Sequence, residues 1–166
     1  MRYFSVVVLI VLGVMLSACA RYETPLAAWD AGDEKAAFSG FLAAAEAGDV
    51  SAQTAVGTLY YLGIGVSRDY EKALAWYEKA ALAGDPHAQR NLGSMFRHGH
   101  GTSQDDFRAF GWYDAARRAG HAHVTEYLRL TALSVGWNQQ ELARRIVSDD
   151  LKAQRVSHGS HRKATR

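Results

Sequence analysis

The chain has 166 residues, of which 48% are hydrophobic and 22% are charged, a composition typical of one globular domain with a real core. The single cysteine has no partner in the chain, which excludes a framework of internal disulfides. The formal net charge of +2 hides an asymmetry, because residues 152–166 are basic and contain no acid, whereas residues 19–151 are mildly acidic.

The beginning of the chain has the organisation of an export signal. Arg2 supplies a positive start, and the apolar run over 6–16 is too short to span a bilayer comfortably as a permanent helix. The run ends in Leu16-Ser17-Ala18-Cys19, which resembles the lipobox of bacterial lipoproteins.

This resemblance implies a signal peptide over 1–18 and lipidation of Cys19, so that the protein is anchored to a membrane without crossing it. Ala20 after the cysteine favours the outer membrane, with the protein facing the periplasm. The alternative is an ordinary signal peptide with a chance cysteine near its end.

Residues 19–32 contain Pro25 and no clear period, which predicts a short tether. Residues 33–47 have apolar side chains at spacings of three and four, the period of a helix. This segment aligns with the second helix of the unit described next. We therefore expect a half-repeat that caps the start of a solenoid and lacks its own first helix.

Two copies of one unit follow, in residues 48–83 and 84–119. A fixed period of this size is typical of a solenoid. Each copy predicts two helices joined by a turn whose glycines supply positive φ. Gly57 recurs as Gly93 inside the first helix, which predicts that two backbones approach each other too closely there for a Cβ. The recurring positions with structural roles are Gly57, Gly63, Gly65, Trp76, Tyr77, Gly93, Gly99, Gly101, Trp112 and Tyr113.

The first copy resembles a Sel1-like repeat, a relative of the tetratricopeptide repeats. The resemblance implies an all-α fold, a right-handed solenoid of αα-hairpins, and by analogy a role in protein interaction. The second copy departs mildly, with Phe96 in place of Tyr and Thr102 in place of Val. The matching positions in the first copy are Ala47-Gly48, Ala52, Val56-Gly57, Tyr60, Gly63-Ile64-Gly65-Val66, Asp69, Lys72-Ala73, Trp76-Tyr77, Lys79-Ala80-Ala81 and Gly84.

Residues 120–152 are predicted to form a degenerate third repeat and a C-terminal cap, because Arg129 replaces the packing glycine. A last amphipathic helix is expected over 138–152, with Leu142, Ile146 and Val147 directed inward. Residues 153–166 have no apolar face, so a basic disordered tail is expected there.

In the tetratricopeptide relatives, one face of the first helices lines a concave groove. Packing does not fix this face here, so its side chains are free to bind a partner, and Arg90 and Arg97 are suited to clamp carboxylates. A merely solvated helix face is the open alternative. The candidate groove residues are Thr54, Thr58, Tyr61, His87, Arg90, Ser94, Arg97 and Glu126.

The sequence gives little support for catalysis or metal binding. No Ser-His-Asp or Cys-His set is recognisable, and the histidines at helix starts lie about 18 Å from those in the turn, too far to share an ion. We expect no cofactor, no metal and no nucleic-acid partner. The sequence favours an adaptor or assembly scaffold that binds an unidentified envelope protein. A binder of cell-wall glycan or peptidoglycan, or an enzyme acting on such a ligand, is the alternative.

Overall fold

The computed structural model describes the backbone of residues 23–163 and the side chains of residues 23–153. The predicted signal peptide and Cys19 lie outside the described residues. Within them the chain forms eight α-helices and no strand. The helices are α1 (Pro25–Asp30), α2 (Glu34–Glu46), α3 (Val50–Leu62), α4 (Tyr70–Leu82), α5 (Pro86–His98), α6 (Asp106–Arg118), α7 (Thr125–Ser134) and α8 (Trp137–Lys163).

From α1 to α7 each helix packs against its neighbours in the chain, and α8 packs mainly against α6. Helices α3 and α4 form the hairpin of the first repeat, α5 and α6 form that of the second, and α4 packs on α5 so that the two hairpins stack. Their apolar faces join in one core that includes Tyr77, Leu92, Phe96, Trp112 and Tyr113. The prediction of an all-helical solenoid of hairpins is confirmed.

An aspartate begins each helix of the two repeats. The side chains of Asp49, Asp69, Asp85 and Asp105 each accept a hydrogen bond from the backbone N–H three residues later, at 2.7 to 3.0 Å. In the third repeat, His121 occupies the equivalent position and its side chain makes no capping bond. The chain there forms a short 3-10 turn before α7 begins, which the missing cap explains.

The glycine inside each first helix receives a tyrosine ring from the second helix. A Cβ on Gly57 would lie 2.8 Å from the Tyr77 ring, and one on Gly93 would lie 2.9 Å from the Tyr113 ring and 3.2 Å from the Ala109 carbonyl oxygen. The prediction that a Cβ would not fit is confirmed. The prediction that a second backbone takes its place is wrong, because a tyrosine ring fills the space in both repeats, joined by a backbone oxygen only at Gly93.

The turn of each repeat rests on the preceding repeat. Gly65 and Gly101 have φ of +69° and +70°. A Cβ at these positions would collide with the carbonyl groups of Glu34 and Tyr70 respectively. The second glycine of the turn is therefore required both for its positive φ and for the contact between successive repeats.

The segment predicted to be a tether is partly folded. Pro25 is in the first turn of α1, where its missing N–H leaves no hydrogen bond unmade, and Thr24 caps the helix by accepting from the Ala27 N–H at 3.1 Å. Ala28 is buried, and Pro25 lies against Gly40 of α2. One repeat length before α3, the positions of a first helix lie mostly before residue 23, outside the described residues, and α1 falls on the end of such a helix and the turn after it.

The inward face of α8 differs from the prediction. Leu142 and Ile146 are 50% and 45% exposed, whereas Ala143 and Val147 are buried against α6. A Cβ on Gly111 of α6 would lie 2.8 Å from Val147 Cγ2 and 2.9 Å from the Ala143 carbonyl oxygen. The helices approach so closely that small side chains face the contact, and the two larger apolar residues are turned outward.

Helix α8 also begins one residue earlier than predicted and continues to Lys163. The prediction of a disordered tail is therefore wrong for residues 153–163, where the backbone is helical. The physical reason is that extending an existing helix is far easier than starting one. Across the part of the chain that the structure describes, no helix is both long and apolar enough to cross a membrane.

Candidate partner-binding cleft

A cleft of about 330 Å³ opens between the first helices of the two repeats, α3 and α5. It includes the tyrosine of α4 that covers Gly57. We call it the first-helix cleft. Its lining residues are Thr58, Tyr61, Leu62, Tyr77, Arg90, Asn91, Ser94 and Met95.

Half of the predicted groove residues meet in this cleft, namely Thr58, Tyr61, Arg90 and Ser94. The other half do not line it. Thr54 Oγ1 donates to the carbonyl oxygen of Val50 at 3.3 Å, within its own helix. Glu126 forms an exposed ion pair on α7, with Oε1 2.8 Å from Arg129 Nη2. His87 and Arg97 lie elsewhere on α5, as described below.

Tyr77 is a cleft residue that sequence reasoning assigned only to the core. Its ring is buried against Gly57, but its hydroxyl reaches the cleft and is 2.9 Å from Thr58 Oγ1. Burial raises the pKa of Tyr77, while Thr58, Arg90 and Asn91 oppose that rise. The available signal was that a buried tyrosine hydroxyl needs a polar partner, which a threonine next to the packing glycine can supply.

The second repeat repeats this geometry without the hydrogen bond. Tyr113 is fully buried against Gly93, and its hydroxyl has no hydrogen-bond partner among the described side chains. Burial raises the pKa of Tyr113, while Ser94 as a hydrogen-bonding neighbour, too loosely placed for a well-formed bond, and the charges of Arg97 and Arg90 oppose the rise. The equivalent of Thr58 is Ser94, whose Oγ is instead 3.4 Å from His98 Nδ1.

Within the described residues, the two arginines of α5 have no carboxylate partner. Arg90 Nη2 donates to the amide oxygen of the adjacent Asn91 at 2.6 Å, and the buried Arg97 Nη1 has no partner in the described part of the chain. Elsewhere arginines form ion pairs at 2.7 to 3.6 Å, on α6, α7 and α8. Helices α3 and α5 contain no aspartate or glutamate, so the surface that they form has no negative side chain of its own.

Histidines lie at both ends of α5. The rings of His87 and His121 have centroids 4.9 Å apart in an edge-to-face contact. Burial lowers the pKa of His121, and His87, Arg90 and His123 lower it further. Positive charge is therefore disfavoured at His121 unless an anion is present.

At the other end of α5, His100 joins the first repeat. Its Nδ1 is hydrogen-bonded to the Tyr61 hydroxyl at 2.9 Å, and its ring stacks on Tyr70 at 4.8 Å. Burial and then Tyr70 raise the pKa of the Tyr61 hydroxyl. Among the described residues no group of three or more His, Cys, Asp or Glu side chains is arranged to hold a metal ion.

A second cavity, of about 270 Å³, lies between the second helices and α8. Asp114 is buried there and its carboxylate is 2.7 Å from Arg118 Nε, 3.1 Å from Arg117 Nη2 and 3.6 Å from Arg144 Nε. The arginine of α8 thereby contacts a carboxylate of α6. The buried carboxylate of Asp114 is fully paired within the protein, so the cluster is suited to holding α8 in place.

Comparison with known proteins identifies the repeat. Residues 50–85 and 86–121 each match the model of the Sel1 repeat. A protective antigen present in uropathogenic Escherichia coli strains, which displays an SLR fold, superposes with a TM-score of 0.68 at 26% identity. The match covers 80% of this chain and 28% of that one.

A Sel1 repeat protein from Oxalobacter formigenes superposes with a TM-score of 0.56 at 31% identity, over 58% of this chain and 40% of that one. The chain therefore spans well under half the length of either solved structure. No curated protein matches the sequence.

Proposed function

We propose that this chain is a scaffold that binds a partner protein at the cell envelope. The proposal rests on its two Sel1 repeats, in residues 50–85 and 86–121, and on the first-helix cleft. Sel1 repeats generally mediate protein–protein interaction. The observation that supports this function most is the cleft itself. It is open, it lies at the junction of the two repeats, and it combines the core residues Tyr77 and Met95 with polar side chains of α3 and α5.

The same face offers little for catalysis. Ser94 and His98 are neighbours, but His98 Nδ1 is 2.8 Å from the Ser94 carbonyl oxygen. A carbonyl oxygen only accepts a hydrogen bond, so Nδ1 must be protonated in this contact and is not a base for the serine hydroxyl. Sel1 and tetratricopeptide-like scaffolds are typically non-catalytic, which agrees with a binding role.

Placement at the envelope rests on the sequence before residue 23. We propose that Cys19 is lipidated and holds the protein on the periplasmic side of the outer membrane. Mass spectrometry of the mature protein tests this, because the proposal requires a chain that begins at an acylated Cys19. An unmodified Cys19, or cleavage at another position, contradicts the anchor without affecting the cleft.

Partner binding is tested by site-specific photo-crosslinking in cells. Leu62 lines the cleft and is 54% exposed, so a photoreactive side chain there leaves the core intact. Arg145 of α8 is exposed and outside the cleft, which makes it a matched control position. We expect a discrete protein adduct from position 62 and none from position 145. Absence of an adduct at 62, or equal adducts at both positions, contradicts the proposed function.

A further inference from the structure

Three histidines meet where the third repeat joins the second. His87 lies in the first turn of α5, and His121 and His123 lie at the 3-10 turn before α7. The ring centroid of His121 is 4.9 Å from that of His87 and 6.1 Å from that of His123. His121 is half-buried, and the other two side chains are exposed. We call this group of His87, His121 and His123 the histidine junction.

The repeat register shows what the histidine junction replaces. One repeat length before His121 lies Asp85, whose side chain caps α5 by accepting from the Ala88 N–H at 2.7 Å. The side chain of His121 makes no such bond. One repeat length before His87 lies Ser51. Two positions that carry an acid and a hydroxyl in the earlier copies therefore carry imidazoles in the later ones.

The charged groups that act on His121 from its own turn and from α5 are cationic, or become so in acid. Burial lowers the pKa of His121, and His87, Arg90 and His123 lower it further. His87 also lies in the first turn of α5, where the helix dipole disfavours a positive charge. The folded histidine junction therefore takes up protons against repulsion, which separation of the rings relieves.

The charged groups of the other packed elements are engaged elsewhere. At the end of α6, Arg117 and Arg118 are paired with Asp114. On α7, Glu126 Oε1 is 2.8 Å from Arg129 Nη2. The aspartate at the start of α5 caps that helix. Among the described residues, none of these acids forms an ion pair with the histidine junction, so its charge is not compensated by the fold.

The unit that carries His121 is held chiefly by α6. Both the 3-10 turn and α7 pack on α6, Val124 is fully buried in the core, and Tyr127 stacks on Tyr113 with ring centroids 5.6 Å apart. The contact between the rings of His87 and His121 joins the same unit to α5. Because this unit begins without the side-chain cap of the earlier helices, weakening the contact should open it locally and leave the first two repeats folded.

We propose that the histidine junction is a pH-sensitive contact. Acid charges its three imidazoles together, and their repulsion releases the 3-10 turn and α7 from the second repeat. Release uncovers Tyr113, on which Tyr127 stacks in the closed state. This inference goes beyond the proposed function and does not depend on it.

The direction of the effect follows from linkage between proton binding and opening. The pKa of His121 is lowered in the closed state, so the open state binds protons more readily. The closed state is therefore fully favoured above about pH 6.5, the ordinary value of a free histidine. It loses stability as pH falls from there toward the pKa of His121 in the closed state.

Hydrogen exchange of the full chain in detergent micelles, at about pH 7.5 and about pH 5, tests the release. Dividing each measured rate by the intrinsic rate at the same pH gives the protection of each helix. We expect the protection of α7 to fall by at least about threefold in acid, and that of α3 to change by less than about twofold. Carboxyl groups ordinarily keep most of their charge at about pH 5, so histidines dominate the change. Unchanged protection of α7, or equal losses in α3 and α7, overturns the proposal.

Matched substitutions assign the release to the histidine junction. His121→Asp installs the capping residue of the first two repeats and should abolish the loss of α7 protection in acid. His87→Ser installs the residue of the first repeat and should reduce that loss by about half or more. His98→Asn removes an exposed histidine at the other end of α5 and should keep the full loss. A full acid response in both His121→Asp and His87→Ser, or its disappearance in His98→Asn, overturns the proposal.

Discussion

The two repeats use the same packing and differ on the surfaces that surround it. Gly57 and Gly93 each receive a tyrosine ring, Tyr77 in the first repeat and Tyr113 in the second. The hydroxyl of Tyr77 is bonded to Thr58 at 2.9 Å, whereas that of Tyr113 has no partner among the described side chains. The first repeat is therefore complete by itself at this point, and the second is not.

The charge of the first helix also differs between the two repeats. Positions occupied by Thr54 and Tyr61 in the first repeat are occupied by Arg90 and Arg97 in the second. The shared positions build the solenoid, and the positions that differ distinguish a neutral first helix from a cationic one. The proposed binding surface therefore differs between the repeats in charge, although the packing beneath it is shared.

On the opposite side the second repeat differs because α8 covers it. Ala75 of the first repeat is exposed, while its equivalent Gly111 is buried under Val147 and Ala143 of α8. Glu78 is exposed, while its equivalent Asp114 is buried with three arginines. The second repeat is thus fixed by the C-terminal helix on one side and left open on the other.

The largest expected effect comes from filling the glycine site that the repeats share. Gly93→Leu should lower the free energy of unfolding by about 1–3 kcal/mol, because the Tyr113 ring and the Ala109 carbonyl occupy the space. Thermal and denaturant unfolding measure the loss. Ala75→Leu, on an exposed helix face, is the control and should change stability by less than about 0.5 kcal/mol. An unchanged midpoint for Gly93→Leu would sink the packing account.

A smaller loss is expected where α6 of the second repeat packs against α8. Gly111→Ala improves helix propensity by about 1 kcal/mol, yet it places a Cβ 2.9 Å from the Ala143 carbonyl oxygen. Because a backbone atom must move, we expect a net loss of about 1 kcal/mol. Denaturant unfolding measures it, and a stabilised variant would show that α8 does not approach α6 this closely.

Removing the tyrosine hydroxyls should separate the two repeats directly. Tyr77→Phe loses the bond to Thr58 and should reduce stability by about 1 kcal/mol. Tyr113→Phe removes a buried hydroxyl that has no described partner, so it should leave stability unchanged or slightly raised. Equal losses in paired unfolding experiments would mean that both hydroxyls are satisfied within the protein.

The smallest expected effect concerns pH. The pKa of His121 is lowered in the folded state, so the unfolded chain takes up a proton first as pH falls below about 6.5. Stability should therefore decrease from that pH down to the folded pKa of His121. His121→Asn should flatten this part of the stability profile, and an unchanged profile would exclude His121 as its source.

Much of the fold could be predicted because the period fixes the helices, their caps and their turns. Pro25 was misleading, because a proline breaks a helix when it lies in the interior but is favourable in the first turn. The face of α8 was assigned from the large apolar residues Leu142 and Ile146, but the close approach to Gly111 selects small ones. Periodicity does not report how closely two distant segments approach.

The candidate site could be predicted in part. Spacing on the first helices identified Thr58, Tyr61, Arg90 and Ser94, which the cleft brings together. It missed Tyr77 because a residue in an apolar stripe was treated as entirely internal, although its hydroxyl reaches the cleft. Which polar groups lack partners depends on contacts between repeats, and the sequence does not contain that information directly.

The most direct test of the account is whether the partner depends on Arg90 and Arg97, the two arginines of α5. Arg90→Ala with Arg97→Ala should keep the helical circular dichroism of the unmodified chain and lose the protein that crosslinks from position 62. Lys35→Ala with Arg145→Ala, which removes two exposed charges outside the cleft, should keep it. Full retention of the partner by the Arg90 and Arg97 double variant, with its fold intact, would contradict binding at this surface.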